Sequence, residues 1–342
     1  MEVHVKPTAP YSQLRMLAVH AHPDDESSKG GATTALYTTL GAQVTIATMT
    51  GGEAGSILNP ALEGSPAAIR DIAGLRRDEM ARAAQRLGAQ HKWIGFVDSG
   101  LPEGGFDDID HGTFWTAPTE VAARPLVHLI RQLRPHVVTT YDELGGYPHP
   151  DHIRAHEATM LAVQMAADAD CNPELGEAWQ VPKVYYNMDL TPAKWMHIHG
   201  IMAKLGAESP LSAERQERIR TSANKRDYKL TASIPAGAFL ETAAEALRAH
   251  ATQIDPSSGF FSEVQMMAEQ YWPTEEFELA VDNTGRDGDF GEFSEHDLFE
   301  GITLEDGTVV APGDLKAAMR TAGIEIVEPV SYTHLTLPTT PY

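Results

Sequence analysis

Short apolar runs alternate with longer segments of helical pattern through the first half of the chain. Four of the runs are rich in β-branched or aromatic residues and end in polar or Gly-rich loops, which predicts buried strands at Leu14–His20, Val44–Met49, Trp93–Val97 and Val137–Tyr141. The segments between them have helical length, and they are Ser27–Leu40, Pro66–Leu87 and Thr119–Leu133. This alternation predicts an α/β fold with a doubly wound, mostly parallel sheet.

The pattern loosens after a helix that begins near His152. Beyond it we predict two further strands and two helices, at Lys183–Asn187, Phe277–Val281, Pro192–Leu205 and Ala238–Thr252. The sequence shows neither an internal repeat nor a clear linker, so we expect a single domain over residues 1–328 with a C-terminal elaboration from about residue 183. The last dozen residues contain no Asp, Glu, Lys or Arg, and we interpret residues 329–342 as a non-native tail.

Composition and charge narrow the class of protein. Of the 342 residues, 42% are apolar and 22% are charged, as in ordinary globular proteins. No apolar run reaches the length of a membrane span, and the N-terminus lacks a signal-peptide pattern, so we expect a cytoplasmic protein without a membrane partner. A net charge of -22 argues against a nucleic-acid partner. The single cysteine, Cys171, excludes a multi-cysteine zinc site, so a metal would need His and carboxylate ligands.

Two His–Pro–Asp clusters follow the first and fourth predicted strands. The first is AHPDDE at residues 21–26, and the second is YPHPDH at residues 147–152. Because ligands bind beyond the carboxyl ends of parallel strands, both clusters can face one crevice. A hydrolytic zinc site uses three nitrogen or oxygen ligands and leaves one position open. His22 and Asp25 can bind as a pair across the proline turn, and His152 is the candidate third ligand, for zinc or for ferrous iron.

The remaining polar residues of the two clusters are candidates for proton transfer. Asp24 adjoins a proposed ligand without being one, so we predict that it acts as the general base toward the attacking water. His149 would lie close enough to protonate the leaving amine or to stabilise the oxyanion. Asp151 could orient His149 or a ligand histidine.

Two alternatives compete with this interpretation. An HPDD turn alone could serve to cap the next helix, although two such clusters at strand ends are hard to explain by capping. His156 lies four residues after His152 and could form a two-histidine metal pair that displaces Asp25. We favour the ligand set that contains Asp25.

Several other polar residues lie in or just after predicted strand-end loops, or toward the C-terminus. We interpret them as candidate substrate contacts because exposed loops often carry function. Helix or turn capping is the alternative for the two aspartates among them, a solvated helix face for the arginine, and a surface helix for the last two residues. The candidates are Lys29, Glu53, Arg77, Asp98, Asp142, His250 and Gln253.

The two motifs resemble those of the LmbE/PIG-L family of zinc-dependent N-acetylglucosamine deacetylases and related amidases. That family has an AHPDD turn and a later HPDH turn on a Rossmann-like fold. The resemblance implies a hydrolase of amide bonds with a zinc cofactor. It also implies an oxyanion role for Tyr147 and assigns the ligands, the base and the acid or oxyanion partner to His22, Asp25, His152, Asp24 and His149.

The resemblance is closer to one branch of this family, the mycothiol S-conjugate amidases. It extends over AVHAHPDDESSKG (18–30), TGGEAGSILNP (50–60), LRRDEM (75–80), GFVDSGLPEG (95–104), TTYDELGGYPHPDHIRAHE (139–157), HATQIDP (250–256) and WPTEEFELA (272–280). Lys29 replaces the small residue of the related deacetylase branch. The resemblance implies cleavage of a glucosamine–cysteine amide to a mercapturic acid and glucosaminyl-inositol. The alternatives are an N-acetylglucosaminyl-inositol deacetylase and a non-catalytic, metal-dependent sugar-binding protein.

Overall fold

The computed structural model describes residues 11–102, 105–188, 199–200, 229–256, 272–286 and 290–327. The predicted tail at 329–342 and all of the predicted helix at 192–205 except residues 199 and 200 lie outside these ranges. Within them, none of the helices combines the length and the apolar character that crossing a membrane requires.

Seven strands of the described chain form one sheet: β1 (Arg15–His20), β2 (Gln43–Thr50), β3 (Gln90–Phe96), β4 (Val137–Thr140), β5 (Lys183–Asn187), β6 (Ala232–Ile234) and β7 (Glu275–Asp282). Their order across the sheet is β3-β2-β1-β4-β5-β7-β6. Strands β1 to β5 pair in parallel, whereas β7 runs antiparallel between β5 and β6. The predicted α/β fold with a mostly parallel sheet is confirmed.

The main helices of the described residues are α1 (Asp25–Ser28), α2 (Gly31–Leu40), α3 (Pro66–Leu87), α4 (Thr119–Leu133), α5 (Pro150–Ala167), α6 (Leu240–Ala249) and α7 (Asp314–Ala322). The helix predicted over Ser27–Leu40 is thus two helices, and that prediction was wrong in detail. Gly30 separates them with a φ of 75°, a left-handed conformation that glycine adopts at little cost. A Cβ at this position would lie 3.0 Å from Asn187 Oδ1, so the close approach of β5 also favours glycine.

The central strands are buried on both faces. Every residue of β1 except Arg15 is buried, as expected of a parallel strand that is covered by helices on both sides. Leu126 on α4 and Ala158 on α5 belong to the core on one face. On the other face, Tyr37 on α2 packs in a core that includes Phe299 from the C-terminal region.

Buried polar contacts join this C-terminal region to the N-terminal half. The Asp297 carboxylate accepts hydrogen bonds from the hydroxyls of Tyr11 at 2.5 Å and Tyr37 at 2.8 Å. At the start of β5, Lys183 Nζ donates to Glu295 Oε1 at 2.6 Å, and both side chains are excluded from solvent. The two ends of the described chain therefore complete one structure around the same sheet.

Candidate metal centre

The two His–Pro–Asp turns lie where the strand order reverses. Strand β1 pairs with β2 on one side and with β4 on the other, so the connections after β1 and β4 leave a crevice between them. The first turn directly follows β1, and the second leads into α5. The imidazole centroids of His22, His149 and His152 are 4.7 to 5.3 Å apart. The structure thus brings together residues that are more than a hundred positions apart in the chain.

Asp25 lies between the two histidines that we predicted as metal ligands. Its Oδ2 is 3.6 Å from His22 Nδ1 and 3.4 Å from His152 Nε2. Zinc binds nitrogen and oxygen ligands tetrahedrally at roughly 2.0–2.2 Å, which places ligand atoms about 3.3–3.6 Å apart. The two distances from Asp25 Oδ2 to the histidine nitrogens therefore fit ligands of one small cation.

Hydrogen bonds to the two imidazoles leave the facing nitrogens free for a metal. His152 Nδ1 lies 2.9 Å from the Gly145 carbonyl, so this nitrogen donates and Nε2 keeps its lone pair. That Nε2 is buried and makes no hydrogen bond within the described residues. His22 Nε2 lies 3.1 Å from Asp151 Oδ2, so Nε2 donates to this carboxylate and Nδ1 is the nitrogen turned toward Asp25. A buried, unpaired imidazole nitrogen beside a carboxylate fits a metal ligand.

Asp98 and Asp151 hold the far side of the His22 imidazole. Besides the contact from Asp151, Asp98 Oδ1 lies 3.6 Å from His22 Nε2. Both carboxylates also accept backbone N–H groups, Asp98 from residues 54 and 100 and Asp151 from residue 99, and these bonds fix their orientation toward His22. Among the described residues, two groups have donor atoms that all lie within 4.8 Å of one another and could hold a metal ion, and neither contains Asp25: His22, His149 and His152, and His22, Asp98 and Asp151.

Asp24 has an unusual backbone conformation beside the proposed ligands. Its φ of 104° is costly for a residue with a side chain, and such strain concentrates at functional sites. Its carboxylate makes no capping bond to α1, so the capping alternative does not explain it. Burial, and then the negative charge of Asp25, raise the pKa of Asp24 to about 7. A carboxylate with this pKa is suited to accept a proton near neutral pH.

His149 is the residue that caps α5. Its Nδ1 accepts the N–H of Asp151 at 3.2 Å, so a neutral imidazole here carries its proton on Nε2. Burial, with the charges of His22 and His152, lowers the pKa of His149 to about 3. His149 is therefore a neutral hydrogen-bond donor. Tyr147 stands at the rim, 46% exposed, with its ring centroid 6.1 Å from that of His149.

Three of the predicted substrate contacts lie in or beside the metal centre: Lys29, Glu53 and Asp98. Lys29 is buried and donates to Asp25 Oδ1 at 2.5 Å, on the oxygen opposite the one that faces the histidines. Glu53 Oε1 accepts the backbone N–H of Asp98 at 3.1 Å and so shapes the loop that contacts His22. Asp98 itself lies on His22, as described above.

The other predicted substrate contacts have different positions. Asp142 Oδ1 accepts the N–H groups of Leu144 and Gly146, so the turn-capping alternative describes what it does in the structure. Arg77 is exposed on α3, which agrees with its alternative of a solvated helix face. His250 and Gln253 are buried, and each contacts the first His–Pro–Asp region. The surface-helix alternative for these two residues is therefore wrong.

The competing ligand His156 lies one helical turn beyond His152. Its Nδ1 is 3.0 Å from the Tyr141 carbonyl, and its ring lies 5.3 Å from Tyr186. These contacts are with the backbone just after β4 and with β5, whereas Asp25 Oδ2 lies 3.4 Å from His152 Nε2. This distance favours Asp25 over His156 as the third ligand.

Sequence reasoning missed two buried residues of the site. The Tyr141 hydroxyl donates to Asp25 Oδ2 at 2.6 Å, and the Tyr141 ring stacks on His152 with 4.3 Å between centroids. Arg76, next to the predicted Arg77, is 1% exposed and donates to the carbonyls of residues 55 and 56. The position of Tyr141 as the last residue of a predicted buried strand was an available signal. The sequence alone did not show which of the two adjacent arginines on this helix is buried.

Comparison with known proteins places these features in a family. Residues 17–163 match the model of the PIG-L family, described as GlcNAc-PI de-N-acetylase. Over 293 residues the chain is 45% identical to the mycothiol S-conjugate amidase of Streptomyces coelicolor, covering 85% of this chain and 98% of that protein. The chain belongs to this family. It is therefore a hydrolase of carbon–nitrogen bonds, as the resemblance implied.

Two further relatives bear on the substrate and on the fold. The chain is 37% identical to a 1D-myo-inositol 2-acetamido-2-deoxy-alpha-D-glucopyranoside deacetylase of Catenulispora acidiphila, over 89% of this chain and 94% of that protein. The N,N'-diacetylchitobiose deacetylase of Pyrococcus horikoshii shares the fold, with a TM-score of 0.54 and 17% identity over 80% of this chain and 86% of that one.

Proposed function

We propose that this chain hydrolyses the amide between glucosamine and the S-substituted cysteine of mycothiol S-conjugates. The observation that carries the proposal is the 45% identity to the Streptomyces amidase over nearly its whole length, against 37% to the deacetylase. Lys29 supports the same choice. The resemblance implies a small residue at this position in the deacetylase branch of the family, and this chain has a lysine instead. The substrate is then a small thiol conjugate.

We propose zinc as the metal and His22, Asp25 and His152 as its ligands. The support is the distances from Asp25 Oδ2 to the two histidine nitrogens, the buried Nε2 of His152 without a hydrogen bond, and the Asp151 carboxylate that contacts His22 Nε2. When bound, zinc supplies Lewis acidity that polarises the amide carbonyl and makes water a better nucleophile. Ferrous iron suits the same donors. Lys29 on the second oxygen of Asp25 fixes how that carboxylate faces the histidines.

Side chains of the site then transfer the proton and stabilise the oxyanion. Asp24, with a pKa near neutrality, removes a proton from the attacking water and passes it to the leaving amine. His149 is neutral and carries hydrogen on Nε2, which favours donation to the developing oxyanion over protonation of the amine. Tyr147, at the exposed rim, is placed to add a second donor once substrate covers it.

The test is turnover of two substrates by one metal-loaded preparation. We expect strong preference for a mycothiol S-conjugate over N-acetylglucosaminyl-inositol. Asp24→Asn should lose most turnover of both while keeping its zinc, whereas the exposed variant Arg77→Ala should retain both activities. A reversed preference would make the chain the deacetylase that its second relative is named for. Full zinc with no hydrolysis of either substrate would favour a sugar-binding protein instead.

A further inference from the structure

The strained turn at Asp24 is held by Glu26 and by two side chains, His250 and Gln253, that lie more than 220 positions later in the chain. We infer that the buried Glu26–His250 pair, together with Gln253, positions the general base by fixing the peptide group between Pro23 and Asp24. The inference rests on the proposed function for its effect on turnover, but not for its effect on the backbone.

Both ends of that peptide group are hydrogen-bonded. Its N–H, on Asp24, donates to Glu26 Oε2 at 2.9 Å. Its carbonyl, on Pro23, accepts from Gln253 Nε2 at 2.7 Å. Because the rotation of this peptide plane sets φ of Asp24, the two bonds together hold the left-handed conformation. The direction of the Asp24 carboxylate follows from that conformation.

His250 fixes the position of the Glu26 carboxylate. The two side chains are 1% and 0% exposed, and His250 Nε2 lies 2.8 Å from Glu26 Oε1. Water cannot replace a partner at this depth, so a Glu26 carboxylate that loses His250 moves toward another donor. That movement disturbs the bond between Glu26 Oε2 and the N–H of Asp24.

The segment that supplies these contacts is itself anchored at several points. Glu79, on α3, accepts both the N–H and the hydroxyl of Thr252, at 2.8 and 2.7 Å. The Thr252 carbonyl accepts the N–H of Leu58 at 2.9 Å, in the loop after β2. Residues 250–253 therefore form a fixed support, which we call the C-terminal clamp. A support with this many bonds can resist the strain at Asp24.

The decisive variants remove the hydrogen bonds that the C-terminal clamp makes to Glu26 and to the Pro23 carbonyl. His250→Leu removes the donor, whereas His250→Gln can present an amide N–H near the position of Nε2. Gln253→Leu releases the other end of the same peptide group. Arg248→Ala is the matched control, because Arg248 lies on the exposed side of α6 and pairs with Glu241 at the surface.

The first measurement is hydrogen–deuterium exchange of the peptide covering residues 21–29, which needs no substrate. We expect the Asp24 amide to exchange at least about tenfold faster in His250→Leu and Gln253→Leu, with His250→Gln and Arg248→Ala near wild type. Unchanged exchange in the two leucine variants would overturn the inference. If His250→Leu fails to fold, Gln253→Leu still decides.

The second measurement is steady-state turnover with zinc content determined in parallel. A misplaced base lowers kcat by roughly 10–100-fold, with KM and zinc nearly unchanged, and His250→Gln should recover most of the loss. Equal kcat in His250→Gln and His250→Leu, or a loss of zinc that accounts for the loss of rate, would refute a positioning role. A wild type that hydrolyses neither substrate refutes the proposed function, while the exchange result still tests the positioning.

Discussion

Replacing Tyr141 by phenylalanine tests how the site combines stability with metal binding. The hydroxyl makes two buried bonds, donating to Asp25 Oδ2 at 2.6 Å and accepting the N–H of Ala21 at 2.8 Å. Tyr141 is 1% exposed, so water cannot take over either bond. A hydrogen bond to a charged group contributes about 1.5–3 kcal/mol, and an orphaned buried N–H costs about 1–3 kcal/mol. We expect the free energy of unfolding to fall by about 2.5–6 kcal/mol.

The same change should weaken metal binding. Removing a group that orients a metal ligand typically lowers affinity by roughly 10–100-fold. Tyr185→Phe is the matched control, because the Tyr185 hydroxyl donates to Glu295 Oε2 at 2.7 Å and is equally buried but bonds to no predicted ligand. It should lose comparable stability without losing affinity.

Urea unfolding of the metal-free proteins gives the stability difference, and competition with a coloured chelator gives the zinc affinity. Equal zinc affinities in Tyr141→Phe and Tyr185→Phe would show that the hydroxyl of Tyr141 does not orient Asp25. An unchanged free energy of unfolding in Tyr141→Phe would mean that its two hydrogen bonds do not form in solution.

Three further predictions concern the metal, the base and pH. His22→Ala and His152→Ala should each lower bound zinc sharply by elemental analysis, and full occupancy in both would remove the proposed ligand set. Asp24→Asn should keep its zinc and lose at least about a hundredfold in kcat, and a rate near wild type would show that Asp24 is not the base. Burial, and then the charge of Arg15, lower the pKa of His136 to about 4, so the folded state disfavours its charged form. Above about pH 6.5 His136 is neutral in both states and does not oppose folding. As the pH drops toward 4, the unfolded state takes up the proton first, and the free energy of unfolding falls by about 3 kcal/mol. His136→Asn should reduce the acid sensitivity of unfolding by that amount, and identical pH profiles would refute the assignment.

The central strands were predictable because each is a short apolar run that ends in a polar loop. Strand β6 was missed, since three residues, Ala232–Ile234, carry too little pattern. The break at Gly30 was missed for another reason. An isolated glycine is tolerated within a helix, and only the approach of Asn187 shows why the helix stops there.

The residues of the site also differ in whether the local sequence could predict their role. His22, Asp25 and His152 stand in short motifs with a recognisable chemistry, so their meeting followed from strand order. The contact of His250 with Glu26 spans 224 positions, and nothing in either local sequence indicates it. His250 was accordingly predicted as a substrate contact, although in the structure its imidazole is enclosed and bonded to a carboxylate.

The C-terminal clamp also has a consequence for how the protein is made. A chain emerging from the ribosome exposes the first five strands long before residues 250–253 exist, and domains can begin to collapse as they emerge. Until those last contacts close, the peptide before Asp24 lacks one of its two hydrogen bonds and the left-handed turn is free to relax. The chain would thus become able to hydrolyse its substrate late in synthesis, after the sheet that carries the metal ligands has formed. Nascent chains truncated before residue 250 should accordingly remain inactive even where zinc is plentiful.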